Sequence, residues 1–141
     1  MIPTAMTEEE LLTGVTEALT FAGWRWTHTR RSDAATNQGQ PGVPDIIAVH
    51  PTRRLVLAWE LKGDGGRPTG DQVAWIAALA APDTRIDSRI LYPIDYDRAL
   101  ALIVGKVDAF VLCVVCGAAA IRLLDHRTGA GLCADHDQLD A

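Results

Sequence analysis

The sequence predicts an α/β fold with an antiparallel β-hairpin at its centre. Three observations point to it. A capping box at Thr7 and Glu10 opens a helical stripe of apolar residues. Two strand-like runs are joined by the short turn Pro51-Thr52-Arg53-Arg54, and a second capping box at Thr69 and Gln72 opens an alanine-rich helix. The chain has 141 residues and is 48% hydrophobic. One domain with a real core plus a small appendage is therefore expected, and global disorder is not.

Residues 1–5 read as a loose tail. Leu11, Leu12, Val15, Ala18, Leu19 and Ala22 then recur at helical spacing until Gly23 ends the first helix. Residues 24–29 alternate as a short strand does, and residues 30–43 form a polar loop of Arg, Ser, Asn, Gln, Gly and Pro. Pro44 can open a strand, where a missing N–H costs little. That strand runs over 45–50 and the next over 55–62, followed by a loop at 63–68. The helix capped by Thr69 stops before Pro82, a fourth strand covers 88–92, and a third helix covers 96–104. The order is helix, three strands, helix, strand, helix and a tail.

The formal net charge is −5, but it is unevenly spread. Between residues 21 and 70, seven basic residues outnumber four acidic ones, a local net charge of +3. A locally basic face is compatible with phosphate binding but not with the charge balance of a DNA-packaging protein. No apolar run approaches the roughly 20 residues that span a bilayer, and the N-terminus lacks the basic start and apolar centre of a signal peptide. A soluble cytoplasmic protein is the expectation.

The hairpin gives the first chemical signal. A four-residue turn at 51–54 pairs His50 with Leu55, which places Asp45 directly opposite Glu60 and Lys62 on the same face. Directly opposed carboxylates repel, and a Mg²⁺ ion, which prefers oxygen ligands, removes the conflict. A slip of one residue would turn Asp45 away. At 100° per residue Glu8 falls within the apolar stripe of the first helix, whereas Glu9 and Glu10 point to the side and rear. Acids in a first helical turn also meet the macrodipole favourably, so which of the three reaches a site stays open. Gln72 has a local capping role and also projects beside the Lys62 strand, where it is placed to touch phosphate or position water. Asp45, Glu60 and Glu8 as metal ligands, with Lys62 stabilising developing negative charge or orienting water, suit phosphodiester hydrolysis.

Gly42-Val43-Pro44-Asp45, Glu60-Leu61-Lys62 and Gln72-Val73-Ala74-Trp75, in that order and spacing, resemble the PD-(D/E)xK nuclease superfamily, and within it the VRR-NUC family. The resemblance covers residues 7 to about 104. It implies a restriction-endonuclease-like three-layer core in α-β-β-β-α-β order with a mixed sheet, Mg²⁺- or Mn²⁺-dependent DNA cleavage, and an early helical glutamate matched by Glu8. It further implies phage or viral replication, recombination and repair contexts (hence a host cytoplasm), branched or flap-like DNA as partner, and homodimers. The loop carrying Arg30 and Arg31, and Arg67 ahead of the second helix, suit the DNA-facing side of that family.

Cys113-Val-Val-Cys116 and Cys133-Ala-Asp-His136 are two x₂-spaced ligand pairs separated by sixteen residues. This spacing suits a zinc knuckle or ribbon. Three cysteines cannot all pair as disulfides, and a cytoplasmic chain keeps them reduced. His126 is a possible substitute for His136, but only the latter has the paired spacing. Four filled positions make such a zinc structural, with metal binding supplying much of the stability of a segment this short. The expected organisation is a nuclease domain over 7–104 and a zinc-binding module over 108–141. The leading expectation is a metal-dependent DNA endonuclease. The alternatives are a catalytically weak DNA-binding protein of the same fold that uses its zinc module for recognition, and a zinc-stabilised adaptor.

Overall fold

The computed structural model describes residues 6–29, 39–80 and 86–107, together with the backbone of two strands at 122–125 and 130–132. Helix α1 spans Glu8–Phe21. It starts at a complete capping box, in which the Thr7 hydroxyl accepts from Glu10 N and the Glu10 carboxylate accepts from Thr7 N. It ends before Gly23, whose φ of 82° suits a residue without Cβ. Strands β1 (Arg25–His28), β2 (Ile46–Val49) and β3 (Val56–Leu61) follow, then α2 (Gly70–Leu79), β4 (Ile86–Leu91) and α3 (Tyr96–Ile103). The element order is the predicted one, with boundaries shifted by a residue or two.

The four strands form one mixed sheet in the order β1-β2-β3-β4. β1 and β3 run antiparallel to β2, while β4 lies parallel to β3, reached by the α2 crossover. Alternation along β3 separates two faces. Leu57, Trp59 and Leu61 join Leu11, Val15 and Leu19 of α1 and Leu102 and Ile103 of α3 in the core. Ala58 and Glu60 face the other way, towards α2, where Ser88 Oγ also donates to the Ile76 carbonyl at 2.8 Å. Helices thus cover both faces, and β3 is buried along nearly its whole length.

The β2–β3 pairs are Ile46 with Trp59, Ile47 with Ala58, Ala48 with Leu57 and Val49 with Val56. This is the register expected from a four-residue turn. His50 N donates to the Leu55 carbonyl at 3.1 Å to close it. Inside the turn, His50 Nδ1 accepts from the backbone N–H groups of Thr52 and Arg53, both at 3.2 Å. Arg54 takes a φ of 56°, the left-handed conformation that lets the chain reverse. Nothing in the composition of the turn signals that Arg54 is the residue that adopts it.

Arg53 ties this turn to α3. Its guanidinium donates to the carbonyls of Leu102 (2.6 Å), Ile103 (3.3 Å) and Val107 (3.3 Å) and lies 5.4 Å from the centroid of the Trp24 ring. The Trp24 indole in turn donates to the Ile103 carbonyl at 2.9 Å. A cation at a helix C-terminus satisfies orphan carbonyls and meets the dipole favourably.

Strands β5 (Arg122–Asp125) and β6 (Ala130–Leu132) make a separate antiparallel pair. Cys113, Cys116, Cys133, His136 and the alternative ligand His126 lie outside the described residues. Among the described residues, no helix is long and apolar enough to cross a membrane. Arg53→Ala removes three charge-assisted bonds and the ring contact. It should lower the unfolding free energy by about 2–3 kcal/mol in urea titrations, with Arg53→Lys recovering only part of the loss.

Candidate active site

The site lies where the β2–β3 ladder ends. One step beyond the Ile46–Trp59 pair, the same register sets Asp45 against Glu60. Asp45 is half-buried, and its Oδ2 accepts from the backbone N–H of Leu61 at 2.8 Å. Its carbonyl accepts from Thr29 N at 2.8 Å, which joins it to the end of β1. Glu60 is 1% exposed. Lys62 continues the alternation on the same face, with its Nζ 3.5 Å from Glu60 Oε1. Its N–H donates to the Leu91 carbonyl, so the parallel ladder with β4 holds the backbone there.

Gln72 meets Glu60 from α2. Its Nε2 donates to Glu60 Oε1 at 2.7 Å, while its Oε1 accepts from Thr69 N at 2.9 Å to complete the second capping box. Both polar atoms of the amide are therefore engaged inside the protein. The other oxygen of Glu60, Oε2, is buried without a hydrogen-bond partner. A buried carboxylate oxygen in that state is costly unless a proton or a cation meets it.

The electrostatics follow from this geometry. The Glu60 carboxyl is pushed up to about 8, chiefly by burial, then by the negative charge of Asp45 and its contact with it. The neighbouring Lys62 pulls the other way and does not win.

Glu8 behaves differently from the expectation of a core-facing acid. It is exposed, at the first position of α1, one turn before the first buried residue, Leu11. Its backbone packs over Gly63, where an added Cβ would lie 3.1 Å from Glu8 N and 3.7 Å from its Cβ. Glu8 lies three residues before Leu11, yet the whole first turn, Glu8 to Glu10, is exposed. Glu8 thus stands at the rim, next to the residue after Lys62. Among the described residues, no group of three or more His, Cys, Asp or Glu side chains converges as a metal site. The structure brings together Asp45, Glu60, Lys62 and Gln72. Arg67 is exposed on the loop between β3 and α2, and Arg30 and Arg31 lie outside the described residues.

Two residues with no assigned role also bear on the site. Trp75 Nε1 donates to the Pro41 carbonyl at 3.0 Å, and Gly42, with a φ of 96°, lies directly against the Asp71–Gln72 peptide. The available signals were the three-residue spacing of Gln72 and Trp75, which places both on one helix face, and a glycine between two prolines.

No protein-family model matches the chain, and no curated protein does. Among solved structures, a protein described as a "VRR_NUC domain protein" is similar at 18% identity and a TM-score of 0.45, over 74% of this chain and 88% of that chain. The likeness is too slight to carry an argument.

The raised Glu60 carboxyl gives a pH dependence with a definite sign. Between about 4.5 and about 8 the unfolded chain has lost this proton and the folded chain retains it. The folded state binds more protons in that window, so stability falls as pH rises through it. Denaturant titrations in metal-free buffer should show this decline, and Glu60→Gln should flatten it and leave the protein more stable than wild type at pH 8.

Proposed function

We propose that the protein is a metal-dependent DNA endonuclease that hydrolyses phosphodiester bonds, acting on structured or branched DNA in phage-type replication, recombination or repair. The observation that carries this reading is the pair Asp45 and Glu60, opposed at the end of one hairpin with a buried, unpartnered carboxylate oxygen and a lysine beside them. A hydrophobic core gains nothing from such an arrangement. The order of the Gly42–Asp45, Glu60–Lys62 and Gln72–Trp75 motifs and the basic segment between residues 21 and 70 support the same reading.

The donor set fits a hard divalent cation. The ligand atoms on offer are the carboxylate oxygens of the two acids, and one of these, Glu60 Oε2, has no hydrogen-bond partner. Asp45 and Glu60 would hold Mg²⁺ or Mn²⁺, with Glu8, exposed at the start of α1 beside Gly63, as the third acid of the proposal. When bound, such an ion supplies Lewis acidity towards a phosphoryl oxygen and acidifies a water ligand. The chain's own residues do the rest. The Leu61 N–H fixes one oxygen of Asp45, and Gln72 fixes one oxygen of Glu60, so neither acid has to be ordered when substrate arrives. Lys62 sits at the edge of the pair and supplies positive charge where the phosphate gains negative charge. Arg67, with Arg30 and Arg31, would hold the flanking phosphates without reading sequence.

Zinc at Cys113, Cys116, Cys133 and His136 belongs to the same proposal as a structural centre. Its spacing supports it.

Supercoiled, flap and four-way-junction DNA should be cut in Mg²⁺ and left intact in EDTA. Asp45→Ala should lower cleavage by at least roughly a hundredfold. Intact DNA in every Mg²⁺ reaction, with binding retained, would mark the protein as a binding module. Elemental analysis of the purified chain should find about one zinc, lost in Cys116→Ser; undiminished zinc in that variant would exclude the assigned ligands.

A further inference from the structure

We propose that the first two turns of α2 are the element that sets Asp45 and Glu60 at their working separation, with Gln72 and Trp75 as the positioning residues. The inference rests on the reading of the two acids as a cation site. Asp45 stands just past the last β2–β3 pair, whereas the Glu60 main chain is still paired with Ile90 of β4. Strand pairing with β4 fixes the main chain of Glu60 but not its carboxylate, and the Leu61 N–H holds one oxygen of Asp45. The α2 helix touches both the Glu60 side chain and the segment that leads to Asp45.

Its grip on Glu60 is direct. Because Gln72 Oε1 is engaged by Thr69 N, the amide presents its N–H to Glu60 Oε1. The carboxylate is then held by one oxygen, and the other, Oε2, is left for a cation. Its grip on Asp45 runs through the chain that leads to it. One helical step from Gln72, the Trp75 indole donates to the Pro41 carbonyl. Between these contacts Gly42 is pressed so closely on the helix that a Cβ would come 2.6 Å from the Asp71 carbonyl carbon and 2.7 Å from Gln72 N. Pro41 and Pro44 restrict the backbone on either side, and Pro44, just before Asp45, is fully buried. The segment therefore reaches Asp45 as a stiff strut anchored on the same helix that holds Glu60.

A purely structural role for these contacts makes a different prediction from a positioning role, and Arg53, at the β2–β3 turn, separates them. Arg53→Ala lowers stability at the β2–β3 turn and the end of α3 without touching Glu60, Gln72, Trp75 or Pro41. Gln72→Met loses the donor to Glu60, and Trp75→Phe keeps the ring while losing the donor to Pro41. Mn²⁺ binding is measured by calorimetry, alongside the melting temperature of the metal-free protein. Gln72→Met and Trp75→Phe should each weaken Mn²⁺ binding by roughly tenfold, the scale of one buried hydrogen bond. Arg53→Ala should stay within about twofold of wild type, even with an equal or larger loss of melting temperature. With DNA substrate, the two positioning variants should lower kcat and leave KM for DNA unchanged. Wild-type Mn²⁺ affinity in both Gln72→Met and Trp75→Phe, or a weakening that merely tracks melting temperature across all three variants, would overturn the proposal. Absence of Mn²⁺ binding by the wild-type protein would overturn the cation site itself, and the positioning role with it.

Discussion

The four-residue turn between β2 and β3 decides which side chains of the two strands face each other, and the chemistry of the molecule follows from that pairing. Side chains alternate along a strand, so a slip of one residue would exchange the two faces of β2. Ile46 and Ala48 would leave the core, and Asp45 would leave Glu60. The apolar residues therefore enforce the register that sets the two acids against each other on the opposite face. His50 and Arg53 reinforce it locally. One accepts the free N–H groups of the turn, and the other binds the turn to the end of α3.

The sheet is also what makes the acids unusual. Glu60 lies on a strand with neighbours on both sides and helices over both faces, a position usually filled by an aliphatic residue. Its neighbours do not neutralise it. One is another acid, one is an amide already committed at its far end, and one is a lysine near enough to attract but not to dominate. The lost solvation is left uncompensated by the protein alone.

Much of this was legible in the sequence, for identifiable reasons. The helices were marked by Thr-x-x-Glu and Thr-x-x-Gln boxes that close on themselves and need no tertiary partner. The hairpin register followed from turn length and the period of two. The exposure of Glu8 was not legible, because a helical wheel gives direction around the axis and says nothing of where along the axis the core ends. The contact of Gln72 with Glu60 crosses from helix to sheet, and local spacing carries no information about such layers. The same holds for Trp75 and Pro41, whose hydrogen bond depends on the course of a loop. The left-handed Arg54 escaped because glycine or asparagine ordinarily signals that conformation.

The buried acid pair has a consequence for how this chain responds to selection. As pH rises, ionising the buried Glu60 works against the folded state, whereas a neutral isostere has no charge to bury. Selection for thermal persistence alone would therefore enrich replacements at that position, and a library sorted on heat resistance would lose the acid pair while its cores improved. Persistence of the pair in such a library would require a second pressure, applied through whatever the two carboxylates bind. Stability and chemistry are set against each other at one residue of one strand.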